Sequence, residues 1–236
     1  MKRTNLTTIF LVFIAMLLTS VVNAKSVRVR VLDSDLSKLP FGGDTASALN
    51  WVDAKVKASF GPRLKAALDR SERAGVMKET EAKMTQVRKS LVEFKRQKTG
   101  LENSVLSGEF VHGAGESLLR YQEGNIDHYL LFSGGKLWKY IRALKAKGDF
   151  NMRVKKHSRD FGAPTGVKSN KQGITEATWA GDKLVLTIRN LRNIYGTDLL
   201  LVINKKMRTV AEQKRKDTAQ DSGPAIDPEL QGILED

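Results

Sequence analysis

Three glycine-centred turns in close succession constrain this chain more than any other feature. They are His112-Gly113-Ala114-Gly115, Glu123-Gly124-Asn125 and Ser133-Gly134-Gly135. Glycine adopts the positive φ that tight hairpin turns require, at no steric cost. The segments they separate, near 105–112, 117–122, 127–133 and 137–143, read as strands. In Leu137-Trp138-Lys139-Tyr140-Ile141 aromatics alternate with other residues, as on a two-faced sheet. Three hairpins in succession predict an antiparallel meander.

Upstream the pattern is helical. Leu49, Val52, Val56 and Phe60 step by three, four and four, which places them on one helix face. Asp44 or Thr45 would cap its start, and Gly61-Pro62 would end it and begin another helix. The helical pattern continues to about Lys98, with a break expected at Gly75. Within it, Met77, Thr80, Met84, Val87, Leu91 and Phe94 form a heptad seam of under three repeats. Such a short seam suits an amphipathic helix laid on a core; a short coiled-coil or dimer contact is the alternative. Before this region, Lys25 to Leu32 alternates Val27, Val29 and Val31 with Arg28 and Arg30, the pattern of a half-buried strand.

Downstream of the meander, Phe150, Val154, His157 and Phe161 share the apolar face of a helix expected over 148–161. Gly162-Ala163-Pro164 stops it. Residues 164–173 read as loop. Strands are expected from Gly173 to Trp179, Leu184 to Leu191 and Asp198 to Asn204. Leu199 to Ile203 is continuously apolar, so that strand should be covered on both faces. The fold class is α+β, with an antiparallel sheet of six to eight strands and helices packed on one face. No internal repeat indicates a propeller or solenoid.

The expected organisation is a signal peptide at 1–24, a strand and helical segment at 25–104, a meander with one basic helix at 105–204, and a tail at 205–236. The tail divides by charge. Lys205 to Lys216 holds six bases and one acid, and 217–236 holds six acids and no base. A short basic helix followed by a disordered acidic end is expected, dispensable for folding.

The amino terminus carries an export signal. Lys2 and Arg3 precede the apolar run Ile9–Leu18, and Val22-x-Ala24 satisfies the small-residue rule for cleavage. Ten residues rise only about 15 Å as a helix, half a hydrocarbon core. Cleavage after Ala24 and a periplasmic or secreted destination are expected; an uncleaved anchor over Leu6–Val22 is the alternative. The chain has no cysteine. That excludes disulfides, thiolate nucleophiles, iron–sulfur clusters, cysteine-ligated zinc and lipoprotein acylation.

Catalytic motifs are absent. Ser133-Gly134-Gly135-Lys136 and Lys98-Thr99-Gly100 match fragments of penicillin-binding enzymes, but in reversed order and without the intervening Ser-Asp-Asn. Gly113-Ala114-Gly115-Glu116 precedes no helix that could offer amides to a phosphate. His112, His128 and His157 lack metal-ligand spacing, so neither a metal nor a cofactor is expected. Glu109, Glu116, Glu123 and Asp127 lie in the strand region. They could meet as a carboxylate pair in the fold, but ordinary strand and turn polarity is the reading preferred for them.

Charge is the one bulk property that asks for an explanation. The full chain has 40 Lys and Arg against 26 Asp and Glu, and removing the leader leaves 38 bases. Residues 136–171 hold 11 bases and two acids. Arg153, Lys155, Lys156 and Arg159 occupy the polar face of the 148–161 helix and form the candidate binding surface, with the apolar face turned to the sheet and the cations outward or at its rim. Such a face attracts polyanions. The sequence reading is an exported, non-enzymatic envelope module that contacts an anionic polymer, a membrane surface or a partner protein; a solvated face serving solubility alone accounts for the charge equally well. Export argues against nucleic acid as the partner. The alternatives are an exported hydrolase using strand-borne carboxylates, or a coiled-coil-assisted subunit of an envelope complex.

Overall fold

The computed structural model describes residues 38–221. The expected signal segment at 1–24, the expected strand at Lys25–Leu32 and residues 222–236 of the acidic end lie outside the described residues, whereas 217–221, expected to be disordered, continue a helix. The fold is α+β, with an antiparallel sheet whose eight strands run in the order β1-β2-β3-β4-β8-β7-β6-β5 and with helices packed against it. Two compact units divide it: Pro40–Arg142 with the chain from Asn204, and Ala143–Ile203.

In the first unit, α1 spans Thr45–Ala66 and α2 spans Arg70–Lys89. Asp44 accepts a hydrogen bond from Ser47 N at 2.8 Å and caps α1. Ala48, Val52 and Val56, four residues apart, form its buried face. The helix does not stop at Gly61-Pro62. Proline removes one donor, and the turns on either side keep theirs, so α1 continues to Ala66. The break falls at Ala67–Asp69, not at Gly75. There Asp69 accepts from Glu72 N at 2.8 Å, while the Glu72 carboxylate accepts from Leu68 N at 2.7 Å. This reciprocal pair starts a new helix.

The chain leaves α2 at Ser90, and Val92–Glu93 (β1) pairs antiparallel with β2, Glu116–Glu123. The helical seam therefore ends with Val87. Leu91 and Phe94 lie beyond the helix, and Phe94 stacks on Phe110 with ring centroids 3.8 Å apart. Residues 105–112 form no strand. Loop bonds such as Glu109 N to Leu106 O, 2.9 Å, hold the segment around the fully buried Leu106.

The meander continues with β3, Ile126–Ser133, and β4, Lys136–Lys145. Glu123 pairs with Ile126 across a two-residue turn, which sets Tyr121 opposite His128. Gly134 and Gly135 turn β3 into β4 with φ of 56° and 73°. After β8 the chain returns to this unit as α5, Lys205–Asp221. The expected basic helix is present, but it is neither short nor loose. Ala211 is fully buried and Arg215 bonds Glu116. The expectation that the chain is dispensable from 205 onward is therefore corrected for 205–221.

The second unit holds α3, Phe150–Phe161, strands β5 (Gly166–Asn170), β6 (Gly173–Ala180) and β7 (Leu184–Leu191), the single turn α4 (Arg192–Tyr195), and β8, Thr197–Asn204. Asp149 caps α3 through Asn151 N at 3.0 Å, and Gly162 ends it with φ 87°. β5 occupies a segment expected to be loop. Its five residues are all exposed, so no hydrophobic alternation marked it. Leu199 through Val202 are buried, as a strand covered on both faces requires.

Candidate functional site

The basic helix α3 is built as its sequence periodicity dictates. Phe150 and Val154 are buried one turn apart, and the indole N–H of Trp179 on β6 donates to Gly162 O at 2.8 Å beneath the helix end. Burying that stripe presents Lys155, Lys156 and Arg159 to solvent. Among the described residues, no carboxylate lies within ion-pair distance of these three.

Arg153 differs. The sequence places it outward or at the rim with the other three; it is half-buried, and its Nε lies 3.2 Å from Asp198, a carboxylate with 0% exposure. Arg192 grips the same carboxylate with two prongs, Nε–Oδ1 at 2.7 Å and Nη2–Oδ2 at 2.6 Å, and also donates to Gly148 O. A buried carboxylate requires charged partners, and one cation of α3 serves that purpose. The exposed candidate surface is Lys155, Lys156 and Arg159, extended by the exposed Lys145 and Lys147.

The four strand-region carboxylates go to separate fates. Glu109 and Glu116 are both buried in the first unit, and each is matched by a cation of its own. Lys139, 4% exposed, donates to Glu109 Oε2 at 2.9 Å and Glu109 O at 2.8 Å. Arg215 holds Glu116 with two bonds of 2.6 and 2.9 Å, and Val111 N adds a third donor at 3.1 Å. Burial pulls the Lys139 ammonium below its usual range, and Glu109 opposes that shift. Both cations lie over the Trp138 ring, at 4.1 and 5.0 Å. Asp127 pairs with Arg120 at 2.8 Å, and Glu123 remains at the sheet margin.

A second buried polar group escaped sequence reasoning. His128, 2% exposed, stacks on Tyr121 with centroids 4.3 Å apart, and its Nδ1 lies 2.6 Å from Tyr140 Oη. Trp51 of α1 meets both tyrosines edge-on at 6.1 Å. Burial, reinforced by Arg142, lowers the His128 pKa to about 4, so the ring is neutral at neutral pH. Burial also raises Tyr140 to about 12. The second ring nitrogen, Nε2, makes no hydrogen bond among the described residues and faces Glu123 at 3.7 Å. The hairpin register was the signal for this cluster, because a two-residue turn at Gly124-Asn125 places Tyr121 beside His128.

The remaining histidines are structural. His112 bridges Lys95 O and Glu102 Oε1 at 2.7 and 2.6 Å, and His157 sits 5.8 Å from the Trp179 ring. Ser133 lies buried at the end of β3, before the Gly134-Gly135 turn. Among the described residues, no three histidine or carboxylate side chains converge as a metal site would require, and no helix is long and apolar enough to cross a membrane. No family model, curated protein or solved structure matches this chain.

Proposed function

We propose that this protein is an exported, non-enzymatic module of the cell envelope that binds an anionic surface through α3. One observation carries the reading. Lys155, Lys156 and Arg159 stand exposed on one helix with no acidic partner among the described residues, whereas the nearby Arg153 is paired with Asp198. Three cations on a fixed scaffold attract phosphate or carboxylate arrays without ordering a loop first. The hydrolase alternative draws less from the geometry, since Glu109 is neutralised by the buried Lys139 and Glu116 by the half-buried Arg215. Export rests on the amino-terminal sequence, and the recovered mature chain should begin at Lys25.

The test is sedimentation with vesicles containing about one-third phosphatidylglycerol, compared with neutral vesicles. Binding should fall steeply between low and physiological salt, because exposed charges are screened within about 10 Å. Changing Lys155, Lys156 and Arg159 together to Gln should abolish most of it. Binding indifferent to both salt and the triple change would reject the electrostatic reading.

A further inference from the structure

A pocket of about 240 Å³ opens in the first unit, where α1, α2 and the end of β2 meet. It lies outside the basic helix and has its own chemistry. Lys55, Ser59 and Phe60 of α1, Lys83 of α2, and Tyr121 and Glu123 of β2 line it. Three features of this lining specify a ligand.

The first is charge. Neither Lys55 nor Lys83 has a carboxylate within ion-pair distance among the described residues. Lys55 instead lies 5.5 Å from the Trp51 ring. Lys55 and Lys83, from different helices, thus line one small cavity with Glu123 as its single carboxylate, and two cations against one anion favour an anionic ligand group. The second is the floor. Val56 and Tyr121 are buried, and Phe60 closes one side. Tyr121 lines the pocket with its aromatic side chain, which offers a ring to a ligand. The third is an unmade bond at the inner wall. His128 Nε2 is buried without a hydrogen bond among the described residues and faces Glu123, which lines the pocket. A buried polar atom left unpaired is costly, so a small movement of Glu123 on ligand binding would be rewarded.

We propose that this pocket binds a small organic anion with an aromatic body. The two lysines take the anionic group, and Phe60 and Tyr121 pack against the ring. The volume lies just below the usual span of about 300–1,000 Å³ for sites that take drug-sized ligands, which limits the occupant to one ring. The site is independent of the envelope-binding surface on α3 and shares no residue with it.

Benzoate is the probe, with inorganic phosphate and benzyl alcohol as its two halves. Each is titrated into the full chain while amide and histidine ¹⁵N shifts and tryptophan fluorescence are recorded. Trp51, in edge contact with Tyr121, should report occupancy. Benzoate should bind saturably, at least tenfold tighter than either half, and should shift the His128 ring signals. K55Q/K83Q should weaken it at least tenfold without changing the melting temperature, and S59W, which fills the cavity, should block it. The Lys155, Lys156 and Arg159 triple Gln variant should bind benzoate normally, which separates failure of this site from failure of the α3 reading. Absence of saturable binding, phosphate binding as tight as benzoate, or full binding by either K55Q/K83Q or S59W would overturn the proposal.

Discussion

The two units solve the same problem, a buried carboxylate, with different redundancy. In the second unit Asp198 is held by Arg192 and again by Arg153, both within the unit and both partly open to solvent. In the first unit Arg215 is, among the described residues, the one side chain bonded to Glu116, and it arrives from a helix 99 residues later in the chain. Lys139 provides no substitute, because Glu109 already occupies it. The difference shows that counting bases does not measure available surface charge. Arg153 and Arg215 both lie in basic stretches of sequence, yet each is committed to an internal acid.

The largest expected effect bypasses both devices. Leu201→Asp inserts an unpaired charge into a strand covered on both faces and should cost at least about 4 kcal/mol, or prevent folding. Wild-type melting of that variant would remove β8 from the core. Next comes the direct contrast. Arg215→Met strands Glu116 in the interior and should cost about 3–5 kcal/mol. Arg192→Met should cost less, about 1–3 kcal/mol, because Arg153 remains on Asp198. Chemical denaturation of the two variants side by side decides this, and equal losses would break the comparison. Truncation after Asn204 should destabilise the first unit at least as much as Arg215→Met, since it also removes Ala211.

A third, intermediate effect is set by pH and belongs to the first unit. His128 titrates near 4 in the folded protein, below its ordinary value of 6.5. The folded state therefore takes up a proton later than the unfolded chain. Its contribution is complete above about pH 6.5 and is lost as pH falls toward 4, with an upper limit of about 3 kcal/mol. The Glu102 carboxyl, lowered to about 2 chiefly by the Thr99 backbone N–H, begins to lose its contribution only below about 4.5. Melting temperatures from pH 7 to 4.5 should decline in the wild type and flatten in His128→Asn. An equally steep decline in that variant would assign the dependence elsewhere.

The smallest expected effect on stability is the most informative about the surface. Changing Lys155, Lys156 and Arg159 together to Gln should shift stability by less than about 0.5 kcal/mol, because exposed charges contribute little to folding. Adding Arg153→Gln should produce a measurable loss by weakening the grip on Asp198. If the fourth substitution is as silent as the other three, Arg153 belongs with the free cations after all.

Short-range patterns were legible without coordinates. The strands β2, β3, β4, β6, β7 and β8 and the helix α3 lie within about two residues of their sequence expectations, because alternation, turn glycines and caps are local. Legibility failed wherever distant partners decided the outcome. Pro62 suggested a helix end, yet α1 runs on to Ala66. Residues 105–112 looked like a strand and instead form a loop whose Glu109 reaches Lys139. β5 carries no apolar signal and exists through its pairing with β6. Sequence alone determined the α+β class, the meander and the amphipathic orientation of α3, since each follows from where apolar side chains must point. Only tertiary structure decided which charges are spent and which are free. A cation's partner is chosen by proximity in space, and the 99 residues between Glu116 and Arg215 hold no local trace of that choice.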